Sequence, residues 1–231
     1  MSLSELGFVV RPLRDAPDLR AVRELRAEAY GHHDPLLAQR VAQADAADLE
    51  PGCCVLMACD KVDGRLLGTL RLQRGHPRPL PLEHSVRLPE ALRAHTRAEL
   101  TRLAVRRGVD PMVRLMLFKA AWLHALATQV RQLVITARSP ALIRLYHQLG
   151  FEEVWSADHW WPMAHVGGLP HRVLSFEIPG AERRWHDGAH PLHPLFVQTC
   201  HPDLDLLPPA VPVPARPRVP PPPPRPRVQL A

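Results

Sequence analysis

Residues 132–154 run Q-L-V-I-T-A-R-S-P-A-L-I-R-L-Y-H-Q-L-G-F-E-E-V, and their reading decides the fold. The apolar run at 132–137 predicts a strand. Ser139 and Pro140 then supply a helix N-cap and a proline at the first helical position, where a missing N–H does no harm. The helix stops at Gly150, a natural C′ glycine. A second strand follows at 151–155. A strand, a helix and a strand in so few residues predict an α/β unit with short connections.

Working upstream, 98–105 (A-E-L-T-R-L-A-V) is a strand. Asp110-Pro111 repeats the cap-and-proline signal and opens a long apolar helix to about residue 129. Residues 53–59 and 65–73 form a β-hairpin around the tight turn at Asp63-Gly64. The near-continuous apolar character of 53–59 suits a strand covered on both faces. Between hairpin and strand, residues 74–90 carry Gly75, Pro77, Pro79, Pro81 and Pro89 and predict an irregular loop. A first strand at 6–13 precedes an amphipathic helix at 15–30, where Leu19, Val22, Leu25 and Ala29 recur at helical spacing. Asp34-Pro35 opens a shorter helix to about residue 47. Downstream, 160–168 is a loop with two adjacent tryptophans, and 171–178 is a last strand. The predicted order is β-α-α-β-β-β-α-β-α-β-β, without internal repeats.

Composition sets the boundaries. Of 27 prolines in 231 residues, twelve lie from Pro202 onward. The chain therefore divides into a folded domain at 1–180, an irregular His/Trp/Pro-rich extension at 181–206 and a disordered proline-rich tail at 207–231. Consecutive prolines in the tail demand polyproline II, so it is a spacer or a docking peptide for a proline-recognising groove. The net charge of +6 is spread over mixed helices with no basic block before the tail. That argues against nucleic acid as a partner. No apolar run is long enough for a transmembrane segment, and the first ten residues lack the pattern of a secretion signal, so a cytoplasmic protein is expected. Cys53, Cys54, Cys59 and Cys200 have neither CxxC spacing nor a secretory context and predict neither disulfides nor zinc. Among the histidines after residue 180, His186 and His190 have helical spacing, but Gly188 and Pro191 disfavour a helix. No metal site is expected there, nor at His32-His33-Asp34.

The succession 98–105, long helix, 132–137 and R-L-Y-H-Q-L-G-F (144–151) resembles the GNAT acyltransferase superfamily and its Y-x-x-x-G-F signature, over roughly residues 6–178. The resemblance implies a mixed, mostly antiparallel sheet flanked by helices. A scattered polar set narrows it. Arg26 and Tyr30 match an Arg-x-x-x-aromatic pattern in the first helix. Asp45 and Asp48 match an Asp-x-x-Asp pair, and Gly68-Thr69-Leu70-Arg71-Leu72 matches G-x-x-R-L. Glu99-Leu100-Thr101-Arg102 matches Glu-x-Ser/Thr-Arg. This set is similar to that of the acyl-homoserine-lactone (autoinducer) synthases and the related bacterial N-acyl amino acid synthases.

That resemblance implies an N-acyltransferase with no tightly bound cofactor. Its co-substrate is an acyl phosphopantetheine on acyl carrier protein, or an acyl-CoA. Acetyl-CoA-using members usually carry Arg/Gln-x-x-Gly-x-Gly/Ala after the strand at 98–105, whose backbone N–H groups receive the pyrophosphate. Here the same place runs Arg106-Arg107-Gly108-Val109-Asp110-Pro111, with one glycine, a negative charge and a missing N–H. This favours acyl carrier protein as donor, with Arg106, Arg107 and Arg114 available to its acidic surface. Leu103, Ala104, Val105, Arg106 and Arg107 are the expected donor-binding residues.

The chemistry needs a base for the attacking amine, donors for the oxyanion and an acid for the leaving thiolate. Glu99 is the expected base, with Arg102 and Arg71 organising the site. A β-bulge between Glu99 and Arg102 is needed to bring both to one face. Tyr146 resembles the tyrosine that protonates the thiolate in some superfamily members. Arg26 and Tyr30, one turn apart, with Asp45 and Asp48, are expected on the side of the small amine acceptor. Leu103, Met112, Met116, Leu117 and Trp122 are candidate walls for the acyl chain, as are Trp160 and Trp161. Two other activities compete with fatty N-acyl transfer to an amino acid-like acceptor: acetyl transfer from acetyl-CoA, and a GNAT-like binding module without catalysis.

Overall fold

A computed structural model describes residues 2–31, 38–39, 42–43, 45–76 and 78–206, apart from the side chain of His165. The helix predicted from Asp34, the His32-His33-Asp34 loop and the tail at 207–231 fall wholly or mostly outside the described residues. The strands are β1 (Ser2–Leu3), β2 (Phe8–Pro12), β3 (Cys53–Asp60), β4 (Leu66–Arg74), β5 (Arg97–Val105), β6 (Gln132–Ala137), β7 (Glu152–Glu153), β8 (Trp161–Met163), β9 (Leu169–Glu177) and β10 (Thr199–Cys200). The helices are α1 (Ala16–Gly31), α2 (Glu90–Arg93), α3 (Met112–Ala127), α4 (Pro140–Gln148) and α5 (Ala181–Asp187).

The central sheet has the order β2-β3-β4-β5-β6-β9-β7, with β8 on β9. All its pairs are antiparallel except β5 with β6. That one parallel pair follows from the sequence, because α3 must cross over between two strands that run the same way. The hairpin β3–β4 is apolar on both faces, and its residues divide between two layers. Leu56, Leu70 and Leu72 pack with Met116 and Leu117 of α3, while Val55, Met57 and Leu66 pack with Val22 and Leu25 of α1. Residues 80–88, expected as irregular loop, cover the rest of the α1 face. Leu80, Leu82, Val86 and Leu88 are buried there against Val134 and Val173.

Residues 181–206 differ most from the expectation of an irregular extension. Ala181 and Trp185 of α5 and Phe196 belong to the same core as α3 and β6. Trp185 lies 5.9 Å from Trp122 and 5.6 Å from Phe176, ring to ring. Beyond them the chain runs beside β2: the Val10 N–H donates to the Asp203 carbonyl at 2.8 Å, and the Asp205 N–H to the Val10 carbonyl at 2.9 Å. These bonds occupy the free edge of β2, which would otherwise expose unpaired backbone groups. A few large aromatic residues suffice to dock the segment, although its sequence has no long apolar period.

Candidate active site

β5 and β6 pair only from Arg97↔Gln132 to Leu100↔Ile135, and beyond that point they separate. A bulge in β5 marks the parting. The register with β4 steps from Arg71↔Thr101 to Thr69↔Ala104, so Arg102 and Leu103 together oppose Leu70. Arg102 has φ of 56°, in the left-handed region that a side chain holds only when its surroundings compensate. Two contacts fix the bulge. Arg102 Nη2 donates to Asp45 Oδ2 at 3.3 Å, and Tyr30 Oη donates to the Leu103 carbonyl at 3.1 Å.

The separated strands frame a cavity of about 740 Å³, a size that suits a substrate site. Leu100, Leu103, Ile135, Leu142 and Leu145 give it apolar walls, and Tyr30, Arg71, Arg102, Arg114, Arg138 and His171 are its polar lining. Among the described residues no carboxylate lines it. The cavity therefore favours anionic ligands with an apolar portion.

Behind the cavity wall runs a buried charge relay. Arg26 Nη1 donates to Asp48 Oδ2 at 2.6 Å, and Arg71 Nη1 bridges Asp48 Oδ1 at 3.4 Å and Asp45 Oδ2 at 2.7 Å. Arg102 closes the chain on Asp45. Arg71 Nε also donates to Thr101 Oγ1 at 2.9 Å. Burial opposes the charge on Asp45, but the Arg71 and Arg102 guanidinium groups outweigh it and hold its carboxyl below the usual range. Five residues from a helix, a 3-10 turn and two strands thus meet at one place. Arg71 and Arg102 reach the cavity, while Arg26 and Asp48 support them from behind.

Glu99 is placed differently from the other expected site residues. It shares the sheet face of Arg71 and Thr101, but its carboxyl lies beneath the 3-10 turn at Pro81–His84 and is not part of the cavity wall. It is fully buried, and its Oε2 accepts the Leu82 N–H at 2.9 Å. Among the described residues its Oε1 has no partner. Burial pushes its carboxyl up to about 8, so it is largely neutral at pH 7. The bulge brings Arg102 onto the face of Glu99, but the turn at 81–84 separates the carboxyl from the open space.

Tyr146 on α4 lines the cavity and packs its ring 5.9 Å from Phe118. Burial raises its phenol well above the usual value, so it stays protonated. Leu103, Ala104 and Val105 line the main cavity, and Arg106 and Arg107 line an adjoining one of about 350 Å³ that also contains Asp110, Pro111 and Arg114. Of the other candidate acyl walls, Met116, Leu117 and Trp122 belong to the packed core. Met112 packs against that core, and Trp160 and Trp161 lie outside the cavity lining. The four cysteines are unpaired, and burial pushes Cys53 to about 12 and Cys54 to about 11, which keeps them neutral thiols.

The family model for the N-acyl amino acid synthase FeeM matches residues 21–162, more than half of the chain. The chain belongs to the FeeM family. FeeM itself, an N-acyl amino acid synthase from uncultured soil microbes, has a similar structure, with TM-score 0.59 at 20% identity over 76% of this chain and 93% of that one. A protein assigned to the GNAT acetyltransferases from Desulfovibrio desulfuricans gives TM-score 0.52 at 16% identity, over 74% and 99% of the two chains. A GNAT-family acetyltransferase from Staphylococcus aureus Mu50 gives 0.51 at 12% identity, over 73% and 99%. No curated protein matches by sequence. The likeness to solved structures fixes the fold, and FeeM family membership makes the chain an N-acyltransferase. Among the described residues no helix is long and apolar enough to cross a membrane.

Two ionisable cavity residues escaped the sequence reading, Arg138 and His171. Each lies at the end of a strand, and neither belongs to a local motif. The β6–β9 register ends at Ala137↔Arg172, so the next residues outward, Arg138 and His171, are neighbours on the face shared with Val134 and Val173. Only the antiparallel pairing of β6 with β9 brings them together.

Proposed function

We propose that this FeeM-family enzyme moves a fatty-acyl group from acyl carrier protein to the amine of a small amino acid-like acceptor. The observation that carries the donor assignment is the occupied start of α3. Asp110 Oδ1 accepts the Met112 N–H at 2.8 Å, the Asp110 carbonyl accepts the Val113 N–H at 3.0 Å, and Pro111 has no N–H to give. Two N–H groups of this helix start are thus already used, a third is missing at Pro111, and a carboxylate sits where a diphosphate would lie. Arg107 and Arg114 are exposed beside it and, among the described residues, have no ion-pair partner. A single phosphopantetheine phosphate and an acidic carrier helix suit these two charges.

In this reading the thioester enters where β5 and β6 part, with its acyl chain along Leu142 and Leu145. The acceptor occupies the sheet face shared by Arg71, Arg138 and His171, with Tyr30 and Arg102 beside it, and its nitrogen forms a bond to the thioester carbon. Backbone N–H groups of the β5 bulge are the proposed oxyanion donors. The C–S bond then breaks, and the Tyr146 phenol, protonated and facing the cavity, gives the departing thiolate its proton. Decanoyl-acyl carrier protein and decanoyl-CoA, each with a mixture of the twenty amino acids, test the assignment. Turnover is expected at least tenfold higher with the carrier protein, and CoA alone should give no measurable heat of binding. Equal turnover with both donors, or micromolar CoA binding, would overturn the donor assignment.

A further inference from the structure

The cavity contains several groups that can donate a proton and, among the described residues, one side chain suited to take one. Arg71, Arg102, Arg114 and Arg138 are permanent cations. The Tyr30 and Tyr146 phenols are raised by burial, so neither offers a phenolate at neutral pH. Asp45 is bound between two guanidinium groups, and Glu99 lies outside the wall. His171 remains. Its Nδ1 is 2.8 Å from the Leu169 carbonyl, and since a carbonyl only accepts, Nδ1 carries the hydrogen. The second nitrogen, Nε2, is left as the free lone pair of a neutral imidazole. Burial, and then the Arg138 guanidinium, favour that neutral form. A ring whose tautomer is fixed by a bond at Nδ1 is how a histidine base is held ready at Nε2.

Resting on the reading above, we propose that His171 Nε2 takes the proton of the acceptor's ammonium group while Arg138 holds the acceptor's carboxylate. Arg138 lines the same cavity and, among the described residues, has no ion-pair partner. An α-amino acid carries its ammonium one carbon from its carboxylate. The adjacent pair Arg138 and His171 offers one cation for the carboxylate and one lone pair for the nitrogen. The protons balance. His171 removes one from the ammonium group and passes it to solvent. The freed amine attacks the thioester carbon, and the second nitrogen proton, lost as the amide forms, passes through solvent to restore the Tyr146 phenol. The thiolate is protonated as the C–S bond breaks.

The test compares wild type with H171N, H171Q and R138M, using decanoyl-acyl carrier protein and the amino acid that wild type acylates fastest. Asn at 171 can keep the donor to the Leu169 carbonyl and removes only the position of Nε2. Gln serves as the second variant should H171N fail to fold. We expect kcat to fall about 100-fold, in the range of lost general-base catalysis, with the acceptor KM within threefold. Aminooxyacetate, whose nitrogen is already unprotonated at neutral pH, should shrink the His171 deficit to less than tenfold. R138M should raise the acceptor KM at least tenfold. His171 variants with near-normal kcat, or a deficit equally large with aminooxyacetate, overturn the base. An unchanged KM in R138M overturns the carboxylate contact. A wild type that is silent with every donor and acceptor overturns the functional reading itself, and this inference falls with it.

Discussion

Glu99 shows what burial does to a carboxyl group. Its neighbours supply one backbone N–H, and the charges of Arg71 and Arg102, committed to Asp45 and Asp48, offset only part of the cost of burial. The group resolves the cost of desolvation by staying protonated. Its value is raised from 4.5 to about 8. A carboxyl raised in the folded state lends stability that is complete below its unfolded value and is lost as pH climbs through the folded one. Stability therefore declines between about pH 4.5 and 8, by a total on the order of 5 kcal/mol. E99Q, neutral throughout, should lack this decline. In urea melts its stability relative to wild type should grow steadily from pH 5 to pH 8. Parallel pH curves for the two proteins would show that Glu99 ionises freely. Asp48 takes the opposite solution: fully buried, it is balanced by two arginines. Removing either sign there would leave an uncompensated buried charge, the expensive case for an ion pair.

Elements of the fold act on the site through their ends. The start of α3 lies at the mouth of the donor side, and its character is set by Asp110 and Pro111. Replacing the cap should have two opposed effects. D110A loses the bond to the Met112 N–H, which should cost about 1 kcal/mol of stability. It also frees that donor and removes a negative charge from the place of a diphosphate, so CoA affinity should rise at least tenfold. Titration calorimetry with CoA checks the second effect and thermal melts the first. Unchanged CoA affinity would show that something other than this helix start disfavours the diphosphate. The β5 bulge is the second such element. It lets Arg102 face Asp45 and holds the Leu103 carbonyl toward Tyr30, so α1 and β5 fix each other.

At the scale of the molecule, residues 181–206 are part of the core. Lys119 of α3 is buried, and its ammonium group donates to the carbonyls of Leu195 at 2.8 Å and Thr199 at 2.6 Å and meets His201 Nδ1 at 2.9 Å. One side chain thus ties the central helix to the last described segment. K119M keeps the length of the stem and leaves two part-buried carbonyls without their donor. It should lower stability by about 1–3 kcal/mol and speed proteolysis after residue 190, while turnover below the melting temperature stays near wild type. Unaltered proteolysis would mean that Trp185 and Phe196 hold the segment by themselves.

The alternation and capping signals of the sequence were enough for the strands at 53–59, 65–73, 98–105 and 132–137 and for their flanking helices, because hydrophobic period and turn chemistry are local properties. Arg26, Tyr30, Asp45, Asp48, Arg71 and Arg102 were visible as a set only through their resemblance to a family's pattern, and the fold brings them together. The burial of the Glu99 carboxyl was not legible. Its neighbours in space come from the turn at 81–84, which sequence shows only as a proline-rich stretch. Nor were Arg138 and His171, since no spacing relates two residues that meet only through antiparallel pairing. The docking of 181–206 was hidden for a similar reason, because scattered aromatic residues carry no period. Local chemistry determined which elements form; long-range strand pairing and burial decided which side chains face the cavity and which proton each one holds.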